Sequence, residues 1–487
     1  MSIYDVRGKL KKNSMDIKHK ELLPDKENPF LHCKLDRQKY AFVLTTIIQN
    51  YSEGFVLALN GEWGTGKTTF VRMWERSLQL NDYKTIYFNA WENDYENDPL
   101  TALLGELKKI INNKNSNYRI LLEKGAKISK NIFPAIVKGV ISKHIDAGVA
   151  LEVLEKSVEA ATDLLSDEID AYVNKKQGLI DFKNELEKYI KSNNNGKPVI
   201  FIIDELDRCR PNYAVELLEK VKHFFSVQGI VFVLSIDKSQ LGNSIQGYYG
   251  NSSINKEEYL RRFIDLEYRL PEPNTKVFCE YLYHYYQFKD FFNSSERHNN
   301  SYLQGDGERF KNFAVKLFTK YNYTLRQQEK IFAYSRIVLR TFEKDQFVFP
   351  YLLILLIHLR ERESLFYEKL KKNDGFVPEI AFEFEKIFSK ILIEEALNEY
   401  SKEFVSAESQ LLLFYYWDIT RNGLTRRQPE LVIKIEQNFE LSFKTTIEIE
   451  AHKNTLLRFI SIGLNSEYYG FELKRLISKI DLIENIS

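Results

Sequence analysis

Three observations predict an α/β fold built on a doubly wound parallel sheet. Apolar runs of strand length recur at Phe55–Leu59, Lys84–Ala90, Pro198–Ile203 and Ile230–Ile236, and an alternating stretch follows at Tyr259–Leu270. Segments with helical spacing lie between them, as crossovers between parallel strands require. The run at 198–203 is unbroken by polar residues, which marks a strand covered on both faces, and 230–236 reads as the next buried strand.

Taken in order, residues 1–30 read as a polar arm ending in the turn cluster Asp25–Pro29. The N-terminus is lysine-rich without an apolar core, so a secretory signal is not expected. Asp36–Asn50 has a broad apolar face of Tyr40, Phe42, Val43, Ile47 and Ile48, and reads as a structural helix; edging an adenine pocket is its other use. The nucleus of the chain spans 31–272, with a helical insertion at 100–195. Within the insertion, 133–165 is the most apolar part, but Lys138, Lys143, His144, Asp146, Glu152 and Glu155 interrupt it. No run reaches the ~18–20 apolar residues of a membrane span, so amphipathic helices are expected and a transmembrane segment is not. Ala214–Phe225 reads as a helix opened by Pro211. Beyond Pro273 the pattern is helical only, divided here into a lid (273–345) and a C-terminal domain (346–487). The aromatic stretch Phe278–Phe292 reads as core packing, 293–307 as an exposed loop, Leu325–Phe342 as a helix and Phe347–Ile357 as a short buried helix.

At 487 residues the chain exceeds a single core. Hydrophobic content of 44% with 28% charged residues is that of a globular protein. Lys+Arg 69 against Asp+Glu 68 leaves +1, so no global field draws nucleic acid or an anionic membrane, although a local basic patch stays open. Cys33, Cys209 and Cys279 are too dispersed for a disulfide framework or zinc cluster and suit a reducing cytoplasm.

The chemistry concentrates where the first strand ends. Gly61-Glu62-Trp63-Gly64-Thr65-Gly66-Lys67-Thr68-Thr69 contains G-x-x-x-x-G-K-[ST], the P-loop. Glycines let backbone N–H groups curl into a nest around phosphate oxygens, and the following helix turns its positive end toward the same anion. Lys67 reaches the β- and γ-phosphates and the Thr68 hydroxyl ligates Mg²⁺ in this reading. The run 198–203 enters Asp204-Glu205-Leu206-Asp207-Arg208, where Asp204 holds Mg²⁺ through water as a Walker B carboxylate. Glu205 orients or deprotonates the attacking water, and Asp207 is the second candidate for that task. Arg208 pairs with Asp207 or with phosphate. Asn89 and Trp91 follow the second strand and face the ligand crevice, Trp91 as a packing anchor. Asp237 ends the fourth strand where a polar sensor is placed. No N-K-x-D guanine motif lies at a strand end, which favours ATP over GTP.

Together these stretches resemble the KAP family of P-loop NTPases. The resemblance is carried by Gly61–Thr69 with its internal tryptophan, Phe88-Asn89-Ala90-Trp91, Ile203–Cys209 with the Pro211 helix, Ser235-Ile236-Asp237, and Tyr259-Leu260-Arg261-Arg262-Phe263 before Leu270-Pro271-Glu272-Pro273. It covers roughly residues 34–345. It implies an additional-strand, AAA-like or STAND-like core that takes ATP and Mg²⁺, followed by a helical lid supplying an arginine from a helix start. Arg326 stands there, in Thr324-Leu325-Arg326 where the family commonly reads Asn-Pro-Arg. Arg261 or Arg262 is a candidate arginine finger across a subunit interface. Many relatives place transmembrane helices between the Walker motifs; this chain has the amphipathic insertion instead. Some relatives with soluble insertions are linked to phage exclusion, which implies a defence role.

Three functions are expected to compete. One is an ATPase that switches shape or assembles, through self-association or a protein partner bound by the helical regions. Another is a nucleotide-gated scaffold whose C-terminal region is the recognition module. The last is a DNA-associated ATPase, which the balanced charge disfavours.

Overall fold

The strands alternate their side chains between two apolar layers, and that alternation sets the architecture. In the computed structural model, which describes residues 22–51, 54–95, 98–110, 176–188, 190–191, 196–225, 227–250, 254–395, 402–421 and 472–482, five strands form one sheet. They are β1 (Phe55–Asn60), β2 (Thr85–Asn89), β3 (Val199–Asp204), β4 (Ile230–Ile236) and β5 (Leu266–Arg269). Their order is β2-β3-β4-β1-β5, every neighbouring pair parallel. β4 thus lies between the strand that leads into Gly61 and the strand that ends at Asp204, the additional-strand arrangement expected.

Ile200 and Ile202 face one layer with Leu57, Leu59, Val231 and Val233. There they meet the helix Gln38–Asn50 and the helix Lys67–Leu80, through Leu44, Ile48, Phe70 and Trp74. Phe201 and Ile203 face the other layer with Phe232 and Leu234, covered by Pro99–Ile110, the helical residues 176–188 and Pro211–Phe225. The period of two along a strand makes one sequence serve both layers. Helix starts are defined by side-chain caps: Asp237 accepts from Ser239 and Gln240 N–H, Asn255 from Glu257 and Glu258, and Asn274 from Val277. The expected fifth strand is shorter than its sequence pattern, because Asn255 starts a helix at Lys256–Arg261 before β5.

The described residues fall into two compact units, one within 21–272 and one from 273 onward. Residues 133–165, the apolar part of the insertion, lie outside the described residues. Among the described residues no helix is long and apolar enough to cross a membrane.

The second unit is helical. Its helices include Thr275–Tyr285, Asp306–Lys320, Leu325–Leu339, Pro350–Arg362 and Lys402–Arg421. The aromatic stretch is core, as expected: Tyr283, Phe288 and Phe292 stack within 5.4–6.4 Å of one another, and Phe288 packs on Phe310 and Phe332. Rings also meet across residue 345, Phe313 against Tyr351 and Phe404. One expectation is corrected. Residues 293–307 are an exposed loop only in part: Ser295–His298 is helical, and Leu303 and Arg297 are fully buried. The Arg297 guanidinium pairs with Asp306 and donates to the carbonyls of Lys344 and Gln346 at 3.2 and 2.8 Å. The segment is polar in composition, yet its central charge is satisfied inside, which no local pattern announces.

His358 is buried in this unit beside the Tyr321 ring, with Nδ1 2.8 Å from the Tyr323 hydroxyl. Burial, then the nearby Arg362, lowers its pKa to about 3. Because the folded value lies below the unfolded one, the neutral form contributes stability above about pH 6.5 that is lost as pH falls toward 3. Asp418 and Glu408, whose carboxyls are raised by burial in the same unit, drift the other way, so wild type must be compared with a variant. His358→Gln is expected to lose about 2 kcal/mol less than wild type between pH 7 and pH 5 in urea unfolding; equal losses would remove His358 as the titrating group.

Candidate functional site

Parallel register brings the chemistry to one edge. Asn60 pairs with Ile236, Asp204 with Ser235 and Asn89 with Asp204, so the residues that follow four strands share the carboxyl end of the sheet. Gly61 N–H donates to the Ile236 carbonyl at 3.1 Å and begins the loop. Gly64 (φ +78°) and Gly66 (φ +82°) are left-handed, where a Cβ is strained. Lys67 then opens the helix Lys67–Leu80, with Thr68 and Thr69 in its first turn.

Lys67 is only 8% exposed. Its ammonium donates to the carbonyls of Gly61 (2.5 Å) and Glu62 (3.0 Å). Burial lowers its pKa, while the charges of Asp207, Asp237 and Asp204 oppose that shift. The charges of three carboxylates from the ends of β3 and β4 therefore act on the P-loop lysine.

Each acidic residue has its own partners. Asp204 is buried and accepts from the Tyr87 hydroxyl at 2.9 Å and from the Glu205 N–H at 3.0 Å. The Arg72 guanidinium, on the P-loop helix, lies 3.2 Å from the Tyr87 ring centroid. Glu205 is left-handed at φ +61° and half-buried. It pairs with Arg208 at 2.5 Å and accepts from the Asn89 amide at 3.4 Å. Burial raises its carboxyl, Arg208 lowers it, and Asp204 raises it again. Asp207 accepts from the Trp63 indole N–H, a bond that ties the P-loop to the turn after β3. Burial raises Asp207, and Trp63, Lys67 and backbone N–H groups counter that. Asp237 spends Oδ1 on capping its helix, and its charge favours the Lys67 cation.

Two expectations change here. Arg208 pairs with Glu205, not with Asp207. Trp91 is not a packing anchor: it is 53% exposed, with the Arg208 guanidinium 5.8 Å from its ring. A residue at a strand end faces solvent where no helix crosses it.

Arg261 and Arg262 are exposed at the end of their helix, and neither bonds to the Lys67, Asp204 or Asp207 side chains among the described residues. Arg326 belongs to the second unit, exposed in the first turn of Leu325–Leu339 beside the Thr324–Gln327 capping box. Three contributors escaped sequence reasoning. Tyr87 braces Asp204, the Arg210–Asp94 pair ties the loop after β2 to the turn after β3, and Arg37 donates to P-loop carbonyls. Tyr87 alone left a signal, two residues before Asn89 on the same strand face.

Residues 37–341, more than half of the chain, match the KAP family P-loop domain. The chain belongs to the KAP family. Membership makes it a P-loop NTPase with a nucleotide-binding core. An uncharacterized protein of Methanocaldococcus jannaschii is 27% identical over 175 residues, 31% of the KAP chain and 89% of that protein. Two solved structures resemble it at low identity. One is a DNA replication initiation factor (12% identity, 92% of this chain and 93% of that one, TM-score 0.27). The other is the Aeropyrum pernix ORC2 protein in ADPNP–ADP complexes (11%, 96% and 96%, TM-score 0.31).

The Trp63–Asp207 bond is testable in the KAP chain without ligand. Trp63→Phe and Asp207→Ala are expected to show a coupling of about 1 kcal/mol in a double-mutant cycle of denaturant unfolding. Additive effects would mean that the bond contributes nothing.

Proposed function

We propose that this KAP NTPase hydrolyses ATP and uses the cycle to switch shape or assemble. One observation carries the reading: a buried lysine at a P-loop helix start, its charge favoured by three carboxylates from the ends of β3 and β4. That is the arrangement phosphoryl transfer needs, because catalysis there is positioning plus electrostatic stabilisation.

In this reading the triphosphate lies on the loop Gly61–Thr69 and Lys67 exchanges its carbonyl partners for phosphate oxygens. The Thr68 hydroxyl and the Asp204 carboxylate are hard oxygen donors of the kind Mg²⁺ takes, and Tyr87 and the Glu205 N–H leave Asp204 with acceptor capacity to spare. Bound there, Mg²⁺ would neutralise charge on the phosphates. Glu205 takes the proton of a water whose oxygen bonds to the γ-phosphorus as the bond to the β–γ bridging oxygen breaks. Its raised carboxyl makes it a better proton acceptor than an ordinary glutamate. Asp207 is the weaker candidate because the Trp63 indole already occupies it. Asp237 and Arg326 act as sensors, and Arg261 or Arg262 acts across a subunit contact.

Purified Lys67→Ala is expected to lose ATP binding. Glu205→Gln is expected to keep binding and lose turnover by roughly a hundredfold or more. Hydrolysis unchanged in Lys67→Ala overturns the proposal. Light scattering with and without ATP reads the switch, and a mass that ATP never changes removes the assembly role. Tight ATP binding with no turnover in wild type would favour the nucleotide-gated scaffold, and stimulation by duplex DNA the DNA-associated reading. A place in anti-phage defence in the cytoplasm, which the family resemblance supports, predicts that Lys67→Ala abolishes any protection in phage plating.

A further inference from the structure

The helix Gln38–Asn50 does more than cover the sheet. Its N-cap residue, Arg37, is 4% exposed and sends its guanidinium to the P-loop: Nη1 donates to the Gly66 carbonyl at 2.9 Å and Nη2 to the Thr65 carbonyl at 2.6 Å. The helix is held in place independently, by Ala41, Leu44 and Ile48 in the core and by the Trp74 indole donating to the Thr45 hydroxyl at 2.9 Å. Arg37 therefore projects from a fixed base onto the loop.

A trans peptide points its C=O and N–H in opposite directions. The Thr65 carbonyl shares its peptide plane with the Gly66 N–H, and the Gly66 carbonyl shares its plane with the Lys67 N–H. Holding the two carbonyls on the Arg37 side aims those two N–H groups the other way, into the nest that receives an anion. Gly66, left-handed at φ +82°, lies between these two planes; its carbonyl also accepts from the Phe70 N–H at 3.1 Å, so the Thr65–Gly66 plane, which precedes the helix, gains most from being held. The charge points the same way. Burial works against the Arg37 cation, and no carboxylate pairs with it among the described residues. A desolvated guanidinium with only carbonyl partners leaves positive potential beneath the loop, which a phosphate on the far side neutralises.

We propose that Arg37 is a positioning residue that holds the Thr65 and Gly66 carbonyls, thereby aiming the Gly66 and Lys67 N–H groups at the phosphates of bound nucleotide and strengthening phosphate affinity. The proposal rests on nucleotide binding at this loop. Arg37 itself touches no phosphate; it acts through the loop.

Calorimetry of the full chain with MgATP and with tripolyphosphate, which lacks the base, tests it. In Arg37→Met both affinities are expected to fall by about tenfold or more, the worth of roughly one charge-assisted hydrogen bond. KM for ATP is expected to rise while kcat changes less than threefold, a split that general loosening of the fold would not give. Arg37→Lys keeps the charge but not the two-point hold and is expected to fall between Arg37→Met and wild type. Wild-type tripolyphosphate affinity in folded Arg37→Met overturns the proposal, as does a loss confined to kcat. Should Arg37→Met fail to fold, Arg37→Lys decides, and wild-type affinity there overturns the two-carbonyl hold. Wild type that binds neither ATP nor tripolyphosphate would instead defeat the nucleotide reading, a result distinct from any difference between wild type and the variants.

Discussion

An ammonium group taken out of water at the end of a parallel sheet is the constraint on which the first unit depends. A buried cation costs several kcal/mol unless its donors are satisfied and an opposite charge lies near. Lys67 meets both conditions, through the Gly61 and Glu62 carbonyls and through the field of three carboxylates. Those carbonyls converge only because the loop curls back on itself with left-handed residues at Gly64 and Gly66. The carboxylates arrive only because β3 and β4 stop level with β1. Sheet register, loop glycines and acidic strand ends are thus parts of one electrostatic arrangement.

Four acidic residues, Asp204, Glu205, Asp207 and Asp237, share the carboxyl edge of the sheet. The fold gives each a different hydrogen-bonding partner. Asp204 has a phenol and a backbone amide, Glu205 an arginine, Asp207 an indole, and Asp237 a helix N-terminus. The consequence is a division of labour. Asp204 and Asp207 are buried and pinned, whereas Glu205 is half-buried and tied to a side chain that lies over exposed Trp91. The residue best able to exchange its partner is the one whose proposed task is to move a proton.

The second unit shows the same economy in a different setting. Arg297 and Asp306 bury opposite charges together, and two backbone carbonyls take further guanidinium donors. Here legibility from sequence fails for a definable reason. Periodicity reports which face of an element is apolar, so the aromatic core of Phe278–Phe292 and the helix Pro350–Arg362 could be read in advance. It does not report a polar residue whose partner lies far away in the chain. Arg297 reaches residues 344 and 346, Tyr87 reaches Asp204, and Arg37 reaches Thr65 and Gly66, each across an interval that no local rule spans.

What the amino-acid sequence determined by itself was the set of strands, the glycine loop and the acidic strand end, because each is a local event. An apolar run seeks burial, a glycine frees φ, and a P-loop motif needs only eight consecutive residues, Gly61–Thr68. The tertiary structure alone decided the strand order, which carboxylate neighbours Lys67, what Arg208 and Asp207 bond to, and that Arg37 sits behind the loop. Those are choices among partners. A charged or polar side chain meets its hydrogen-bonding need with any suitable group within about 3 Å, and only the packed chain settles which group that is.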